Sequence, residues 1–92
     1  MAGSDDERLS TKELAEAALR TVKELTGYVP EAVTGLEWDG EEWLITVDAL
    51  ELTRIPNTTD IIGEYQVKLD ERGTLRGYKR SRRHVRGQAD SE

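Results

Sequence analysis

The hydrophobic period of this chain changes once, over residues 27–30, from the spacing of a helix to the spacing of strands. Ahead of Gly27 the apolar residues recur at steps of three and four, which places them on one face of an α-helix. Beyond Pro30 they alternate with polar residues in successive short runs, which is typical of half-buried β-strands. The pattern therefore limits the chain to a helix followed by a sheet.

The helix is predicted over about residues 11–26. Ser10 and Glu13 have the spacing of a capping box, in which each side chain accepts a hydrogen bond from the other residue's amide. Gly27 supplies the left-handed residue that ends a helix at low cost, and Pro30 prevents the helix from continuing. The apolar stripe predicted to be buried consists of Leu14, Ala15, Ala18, Leu19, Val22 and Leu25.

Turn residues divide the rest of the pattern into four strands. Asp39 and Gly40 predict a two-residue hairpin turn, and Gly73 closes a second turn that begins at Asp70. The parity of the apolar residues changes near Ala49 and near Gly77, so bulges are expected at these places, the first involving Asp48 as well. The predicted strands are residues 32–38, 42–52, 61–69 and 74–82.

These elements predict an α+β fold, because the helix stripe and one face of the sheet must bury each other. One N-terminal helix would pack on a curved four-stranded antiparallel meander, as in two-layer rolls of the cystatin or PepSY kind. Ninety-two residues allow one domain. We expect a disordered acidic lead-in over 1–9, a single domain over 10–83 and a flexible tail over 84–92.

Composition excludes several kinds of site. The chain has no cysteine, which excludes disulfides and thiolate metal sites, and its single histidine, His84, excludes a multi-histidine metal site within one chain. No apolar run approaches the ~18 residues of a membrane span. We therefore expect a cytoplasmic protein with no metal, no cofactor and no membrane partner.

The polar segment 54–60, RIPNTTD, is predicted to connect strands two and three. Pro56 has no amide hydrogen and ends strand two, and the side chains from Asn57 to Asp60 close a turn by hydrogen bonds to the backbone. As nucleophiles, the threonines here would need a base, and the one histidine lies far along the chain. No catalytic residue is assigned, although a carboxylate pair of Asp60 with Glu64 stays open.

Positive charge is concentrated in residues 76–87, RGYKRSRRHVRG, which we call the basic strip. Residues 1–75 carry 7 Lys and Arg against 17 Asp and Glu, whereas residues 76–86 carry six cations and no acid. On a regular strand one face would carry Tyr78, Arg80, Arg82, His84 and Arg86, and the other face Lys79, Arg83 and Val85.

Three interpretations of the basic strip stay open. It can pair with the acidic body and protect an edge strand from aggregation. It can bind an acidic partner protein, because the planar arginine fork suits carboxylates. It can also bind phosphates of a nucleic acid, with Tyr78 stacking on a base, although the net charge of −6 opposes this.

Motifs from both polar segments, taken together, resemble the gas vesicle protein O family. They are Arg54-Ile-Pro-Asn57 with Asp60, then Tyr65-Gln-Val67-Lys-Leu69-Asp70-x-x-Gly73-x-Leu75, and finally Tyr78-x-Arg80-x-x-Arg83-x-x-Arg86. The resemblance covers residues 10–87, including the helix. His84 departs from it, because the resemblance implies an aromatic residue such as tyrosine at that position.

The resemblance implies a non-enzymatic accessory factor for gas vesicle assembly. Such a factor would bind other accessory proteins or the shell subunit in a chaperone-like or adaptor-like role, in the cytoplasm or on the gas vesicle. A regulatory protein that binds nucleic acid through the basic strip is the alternative. The residues predicted to bind a partner are Arg54, Pro56, Asn57, Asp60, Tyr78, Arg80, Arg82, Arg83 and Arg86.

Overall fold

One helix precedes a four-stranded antiparallel sheet, as predicted. The computed structural model describes residues 8–52 and 60–85. The strands lie in the order β1-β2-β3-β4, so β1 and β4 are the edges. The first strand begins earlier than predicted and the last continues to Val85. The elements are α1 (Thr11–Thr26), β1 (Val29–Trp38), β2 (Trp43–Leu52), β3 (Ile61–Leu69) and β4 (Leu75–Val85).

Local hydrogen bonds define both ends of α1. The Ser10 amide donates to Glu13 Oε1 at 2.9 Å, and the Glu13 amide donates to Ser10 Oγ at 3.1 Å, which completes the predicted capping box. At the other end Gly27 has a φ of 80° and donates its amide hydrogen to the carbonyl of Lys23 at 2.8 Å. The helix therefore begins and ends where capping chemistry predicts. This helix is too short and too polar to cross a membrane. Residues 8–52 and 60–85 contain no second helix.

The core lies between α1 and one side of the sheet, where the helix packs on β1, β2 and β3. The predicted stripe is only partly correct, because Ala15 is half-buried and Leu25 in the last turn is 45% exposed. The other predicted positions are buried or pack against the core: Leu14, Ala18, Leu19 and Val22. Ala17, which was not predicted to be buried, lies in the core beside Ala18, and two small side chains let the helix approach the sheet closely. The buried cluster consists of Leu14, Ala17, Ala18, Val22, Ile45, Val47, Ala49, Tyr65, Val67 and Leu69.

The β1–β2 hairpin is confirmed, but its two-residue turn is wrong. Residues 39–42 form the connection, closed by a hydrogen bond from the Asp39 amide to the Glu42 carbonyl at 3.1 Å. Oδ1 of Asp39 accepts the amide hydrogens of Glu41 and Glu42, each at 2.9 Å. These two bonds lower the pKa of Asp39 and favour the longer loop.

The β3–β4 turn has the predicted form. Gly73 has a φ of 86° and donates its amide hydrogen to the Asp70 carbonyl at 2.9 Å. Oδ1 of Asp70 accepts the amide hydrogens of Arg72 and Thr74, which lowers the pKa of this carboxyl. The turn also contacts the segment before α1, because the Leu9 amide donates to the Glu71 carbonyl at 2.9 Å.

Bulges lie in β1, β2 and β4, and their positions only partly match the prediction. In β2 the alternation continues through Ala49, and the extra residue is Glu51, so the bulge predicted at Asp48 and Ala49 is wrong. Leu50 faces away from the helix, where it lies opposite the buried Ile62. An apolar residue at position 50 therefore has an apolar neighbour on that side, and β2 does not need a bulge before it. The extra residues in the other two strands are Glu31 and Thr34 in β1 and Arg76 and Ser81 in β4. The bulge predicted at Gly77 thus lies one residue earlier.

Replacing Leu14 with alanine is expected to lower the free energy of unfolding by about 2–5 kcal/mol, because its fully buried side chain would leave a cavity. Leu25→Ala removes the same atoms from an exposed position of the same helix and should change stability by about 0.5 kcal/mol or less. Urea unfolding of both variants measures the difference. Equal losses would contradict the position of the core.

Candidate partner-binding surface

The basic strip does not present its cations on one face, because the bulge at Ser81 divides it. Arg82 lies opposite Glu64, and Arg80 lies opposite the next residue of β3, Tyr65. The extra residue, Ser81, donates its hydroxyl hydrogen to the Glu64 carbonyl at 3.0 Å. Two residues of β4 therefore face one residue of β3, and the parity of the strand reverses at this point.

The predicted faces of the strip are consequently wrong. Tyr78 and Arg80 lie on the side of the sheet that carries α1, since Tyr78 is opposite the core residue Val67. Arg83 joins them on this side, opposite Gly63. The other side of the sheet carries Lys79, Arg82 and His84.

A buried carboxylate organises the arginines on the helix side. The Glu51 side chain is 2% exposed, although it belongs to the bulge of an otherwise alternating strand. Its carboxylate accepts hydrogen bonds from Arg80 Nη1 at 3.1 and 3.3 Å, and Arg83 Nε lies 3.5 Å from Oε1. One acidic residue therefore binds two cations of the strip, and we call these three residues with Tyr65 the Glu51 cluster.

Tyr65 completes the Glu51 cluster from β3. Its hydroxyl donates a hydrogen bond to Glu51 Oε2 at 2.6 Å. Burial, together with this hydrogen bond and the nearby negative charge, raises the pKa of Tyr65 well above its usual range. The hydroxyl keeps its proton at physiological pH and serves as a fixed donor to the carboxylate.

Gly63 provides the space that the Glu51 carboxylate occupies. A Cβ atom at Gly63 would overlap the Glu51 carboxyl group. A glycine in the middle of a strand is unfavourable by itself and often marks a close approach of another group. Here the approaching group is the carboxylate, held over the β3 backbone by residues of β3 and β4.

The opposite side of the sheet has a different balance of charge. Arg82 Nε lies 2.8 Å from Glu64 Oε1, and Asp48 occupies the neighbouring position on β2, opposite Glu64. Partial burial raises the pKa of Asp48. His84 lies opposite Ile62, and within the described ranges its buried Nδ1 has no hydrogen-bond partner.

A second exposed feature lies at the far end of the sheet. The rings of Trp38 and Trp43 lie 5.5 Å apart at 54° beside Leu9 and form a cleft of about 450 Å³. An ion pair between Arg8 Nε and Glu71 Oε1, at 3.3 Å, borders it. This cleft offers apolar surface at the end of the molecule remote from the Glu51 cluster.

The predicted partner-binding residues differ in where the structure places them. Asp60 is 4% exposed, so its side chain faces the protein interior. Tyr78, Arg80, Arg82 and Arg83 are exposed on β4, divided between its two sides. The remaining residues lie outside those that the structure describes: Arg54, Pro56, Asn57 and Arg86.

Glu51, which organises the arginines of β4, was missed by the sequence reasoning. The parity conflict in β2 and the glycine at position 63 were both visible signals, but neither connects Glu51 to residues some thirty positions later. In residues 8–52 and 60–85 there is no group of three acidic or histidine side chains placed to hold a metal ion. The expected lack of metals and cofactors stays a prediction.

Gly63→Ala is expected to destabilise the protein by about 1–3 kcal/mol, because the new methyl group displaces the Glu51 carboxylate from its buried hydrogen bonds. Gly77→Ala is the matched control on the adjacent strand, where a Cβ atom meets open space, and it should be neutral within about 0.5 kcal/mol. Thermal and urea unfolding distinguish the two. A neutral Gly63→Ala would show that the cluster adds no stability.

Stability should fall at alkaline pH through Tyr65. Above about pH 10 an unfolded tyrosine loses its proton while folded Tyr65 retains its own, so the folded state binds more protons and the free energy of unfolding decreases as pH rises. Tyr65→Phe lacks this contribution, and its stability difference from the parent should shrink between about pH 9 and about pH 11. Urea unfolding across that range measures it, and a constant difference would refute the buried donor.

Comparison with known proteins links the chain to a family. The family model described as "Gas vesicle synthesis protein GvpO" matches residues 1–90. Gas vesicle protein O of Streptomyces sp. (strain CB03234) is 38% identical over 81 residues, which are 88% of this chain and 63% of the relative. No solved structure matches the chain, so its likeness to cystatin or PepSY rolls stays a prediction.

Two further relatives are each 32% identical to the chain. Gas vesicle protein O of Haloferax mediterranei is 32% identical over 97% of this chain and 64% of its own length. Gas vesicle protein O1 of Halobacterium salinarum is 32% identical over 82% of this chain and 63% of its own. The chain thus spans a little under two thirds of the curated relatives that it matches. It belongs to the family of gas vesicle synthesis protein GvpO.

Proposed function

We propose that this chain is a non-enzymatic accessory factor in gas vesicle assembly, which binds another gas vesicle protein in a chaperone-like or adaptor-like role. Membership of a gas vesicle synthesis family supports the process. The observation that carries the binding role is the composition of an exposed edge strand. Strand β4 has five cations and no acid in its 11 residues, and it lies at one edge of the sheet.

The exposed part of β4 has the chemistry of an interface. The side chains of Arg80 and Arg83 are 43% and 54% exposed, while both also contact the buried carboxylate of Glu51. Arginine and tyrosine are enriched at the energetically important positions of interfaces. Anchored guanidinium groups lose less conformational entropy on binding than free ones. These features support recognition of a partner protein.

The Glu51 cluster supports binding rather than catalysis. Its carboxylate is occupied by two arginines and a tyrosine hydroxyl. The raised pKa of Tyr65 makes this group a poor acid or base near neutral pH. The cluster therefore positions arginines and offers no group matched to proton transfer at physiological pH.

The alternative, a regulator that binds nucleic acid, has less support. Glu51 and Glu64 already neutralise part of the positive charge that phosphates would need, and the net charge of −6 weakens attraction at a distance. The division of the arginines between two sides of β4 also removes the continuous cationic face that was predicted. A cytoplasmic location, in contact with the growing vesicle, is part of the proposal.

The decisive test is a pull-down of the tagged chain from cells that express a complete gas vesicle gene cluster, with nuclease present and with mass spectrometry as the readout. Other gas vesicle proteins should be recovered. Arg80→Gln/Arg83→Gln should lower this recovery and the yield of vesicles, since it removes two exposed cations of β4 that contact Glu51. Circular dichroism checks that the variant is folded.

A matched control variant changes the net charge by the same amount through substitutions in α1. Lys12→Gln/Arg20→Gln removes two exposed cations from α1 and should leave recovery unchanged. If both variants lower the recovery of gas vesicle proteins equally, the net charge of the chain and not the position of the cations on β4 governs the interaction. Recovery of nuclease-sensitive material alone would overturn the assembly role in favour of the regulator.

A further inference from the structure

The two sides of β4 differ in how their arginines pair with acidic residues of the neighbouring strands. On the helix side, Arg80 and Arg83 share the single carboxylate of Glu51, and Tyr65 is uncharged because its pKa is raised. Two cations of β4 therefore share one acidic side chain here. On the other side Arg82 faces two carboxylates, since Glu64 pairs with it and Asp48 follows in the same row. This side also carries the exposed Lys79, opposite Gln66.

The two arginines of the helix side retain unused donors. Arg80 contacts Glu51 through Nη1, and Arg83 contacts it through Nε. A guanidinium has five N–H donors, so these contacts leave further donors that can bind a second carboxylate through two parallel hydrogen bonds. Because Glu51 restrains both groups, a second carboxylate would meet a preorganised pair.

Apolar side chains continue the same surface. Leu75 and Tyr78 are exposed by 40% and 43%, and they lie on the helix side, opposite Leu69 and Val67. The helix packs on β1, β2 and β3 and leaves this side of β4 exposed. We call these residues the helix-side surface of β4: Leu75, Tyr78, Arg80 and Arg83.

We propose that the helix-side surface of β4 binds an extended acidic segment of a partner protein. Apolar side chains of the segment would pack on Leu75 and Tyr78, and a carboxylate would bind Arg80 and Arg83. The surface covers roughly 20–25 Å along the strand, which corresponds to a segment of about seven residues. This inference rests on the proposed function and specifies the chemistry of its partner.

Other occupants fit these features less well. Nucleic acid would use stacking and phosphates, and it has no use for the apolar surface of Leu75. A second copy of the chain could add its sheet edge to β4, but bulges interrupt both edge strands, at Glu31 and Thr34 in β1 and at Arg76 and Ser81 in β4. Bulged edges oppose continuous strand pairing between copies, whereas recognition by side chains does not require it.

The test compares two adjacent arginines that differ in the side of the strand they occupy. The probe is a labelled synthetic peptide of about nine residues in which every second residue is serine. The positions between the serines carry first two leucines and then two glutamates, and a second peptide has the reverse sequence. Arg83→Gln should weaken its binding about tenfold through loss of charge-assisted hydrogen bonds. Arg82→Gln, with the same change of charge on the other side, should alter it about twofold or less.

Arg83→Gln leaves Glu51 paired with Arg80, so the fold should persist, and circular dichroism verifies this. Replacing the glutamates of the peptide by glutamine should also weaken binding. Equal effects of the two arginine variants, no binding of either peptide by the parent chain, or tighter binding of a single-stranded RNA of about ten nucleotides would each overturn the inference. So would concentration-dependent self-association that Arg83→Gln abolishes, because the occupant would then be a second copy.

Pull-downs with the same variants separate this inference from the proposed function. Recovery of gas vesicle proteins that Arg83→Gln reduces and Arg82→Gln spares would support both. Equal recovery by the parent chain and both variants would overturn the acidic-segment site and leave the assembly role intact. Failure of the parent chain to recover any gas vesicle protein would overturn the proposed function itself.

Discussion

The Glu51 carboxylate joins the three strands on which the charged surface depends. A buried charge is costly unless it is paired and hydrogen-bonded, and Glu51 meets this requirement with Tyr65 from β3 and with Arg80 and Arg83 from β4. Glu51 itself is the bulged residue of β2, held above the space that Gly63 leaves open. The same contacts that satisfy the carboxylate also fix the direction of two exposed arginines. Stability and the proposed recognition surface therefore rest on one cluster.

The bulge at Ser81 gives the two sides of β4 different properties. It reverses the parity of the strand between Arg80 and Arg82, so that neighbouring cations pair with different acids. On one side two arginines share one carboxylate next to exposed apolar groups, and on the other side the arginine faces two carboxylates. Charge pairing inside the protein and recognition of a partner, which were alternatives for the basic strip, thus coexist in one strand. The internal pairs restrain the side chains that a partner would bind.

The candidate surface was predicted in composition but not in arrangement. The cations of β4 and Tyr78 were identified from the sequence, and the gas vesicle protein O family was recognised from motifs that include them; the family model confirms that membership. The face assignments failed because one extra residue in a strand exchanges its two sides. Glu51 was overlooked because its role depends on Tyr65 and Arg80, which are remote in the chain and near only in the folded sheet.

The sequence by itself determined the elements whose causes are local. The capping box of Ser10 and Glu13, the left-handed Gly27 and Gly73, and the change of hydrophobic period define where the helix and most strands begin and end, because each depends on residues a few positions apart. The tertiary structure decided what depends on contacts between strands. These features are the register of β4 on β3, the bulges at Glu51 and Ser81, and the burial of a carboxylate between the strands. Together they place hydrogen-bond donors of β3 and β4 around the buried charge of Glu51. The requirement to pair a buried charge acts through space, so no local pattern in the chain could express it.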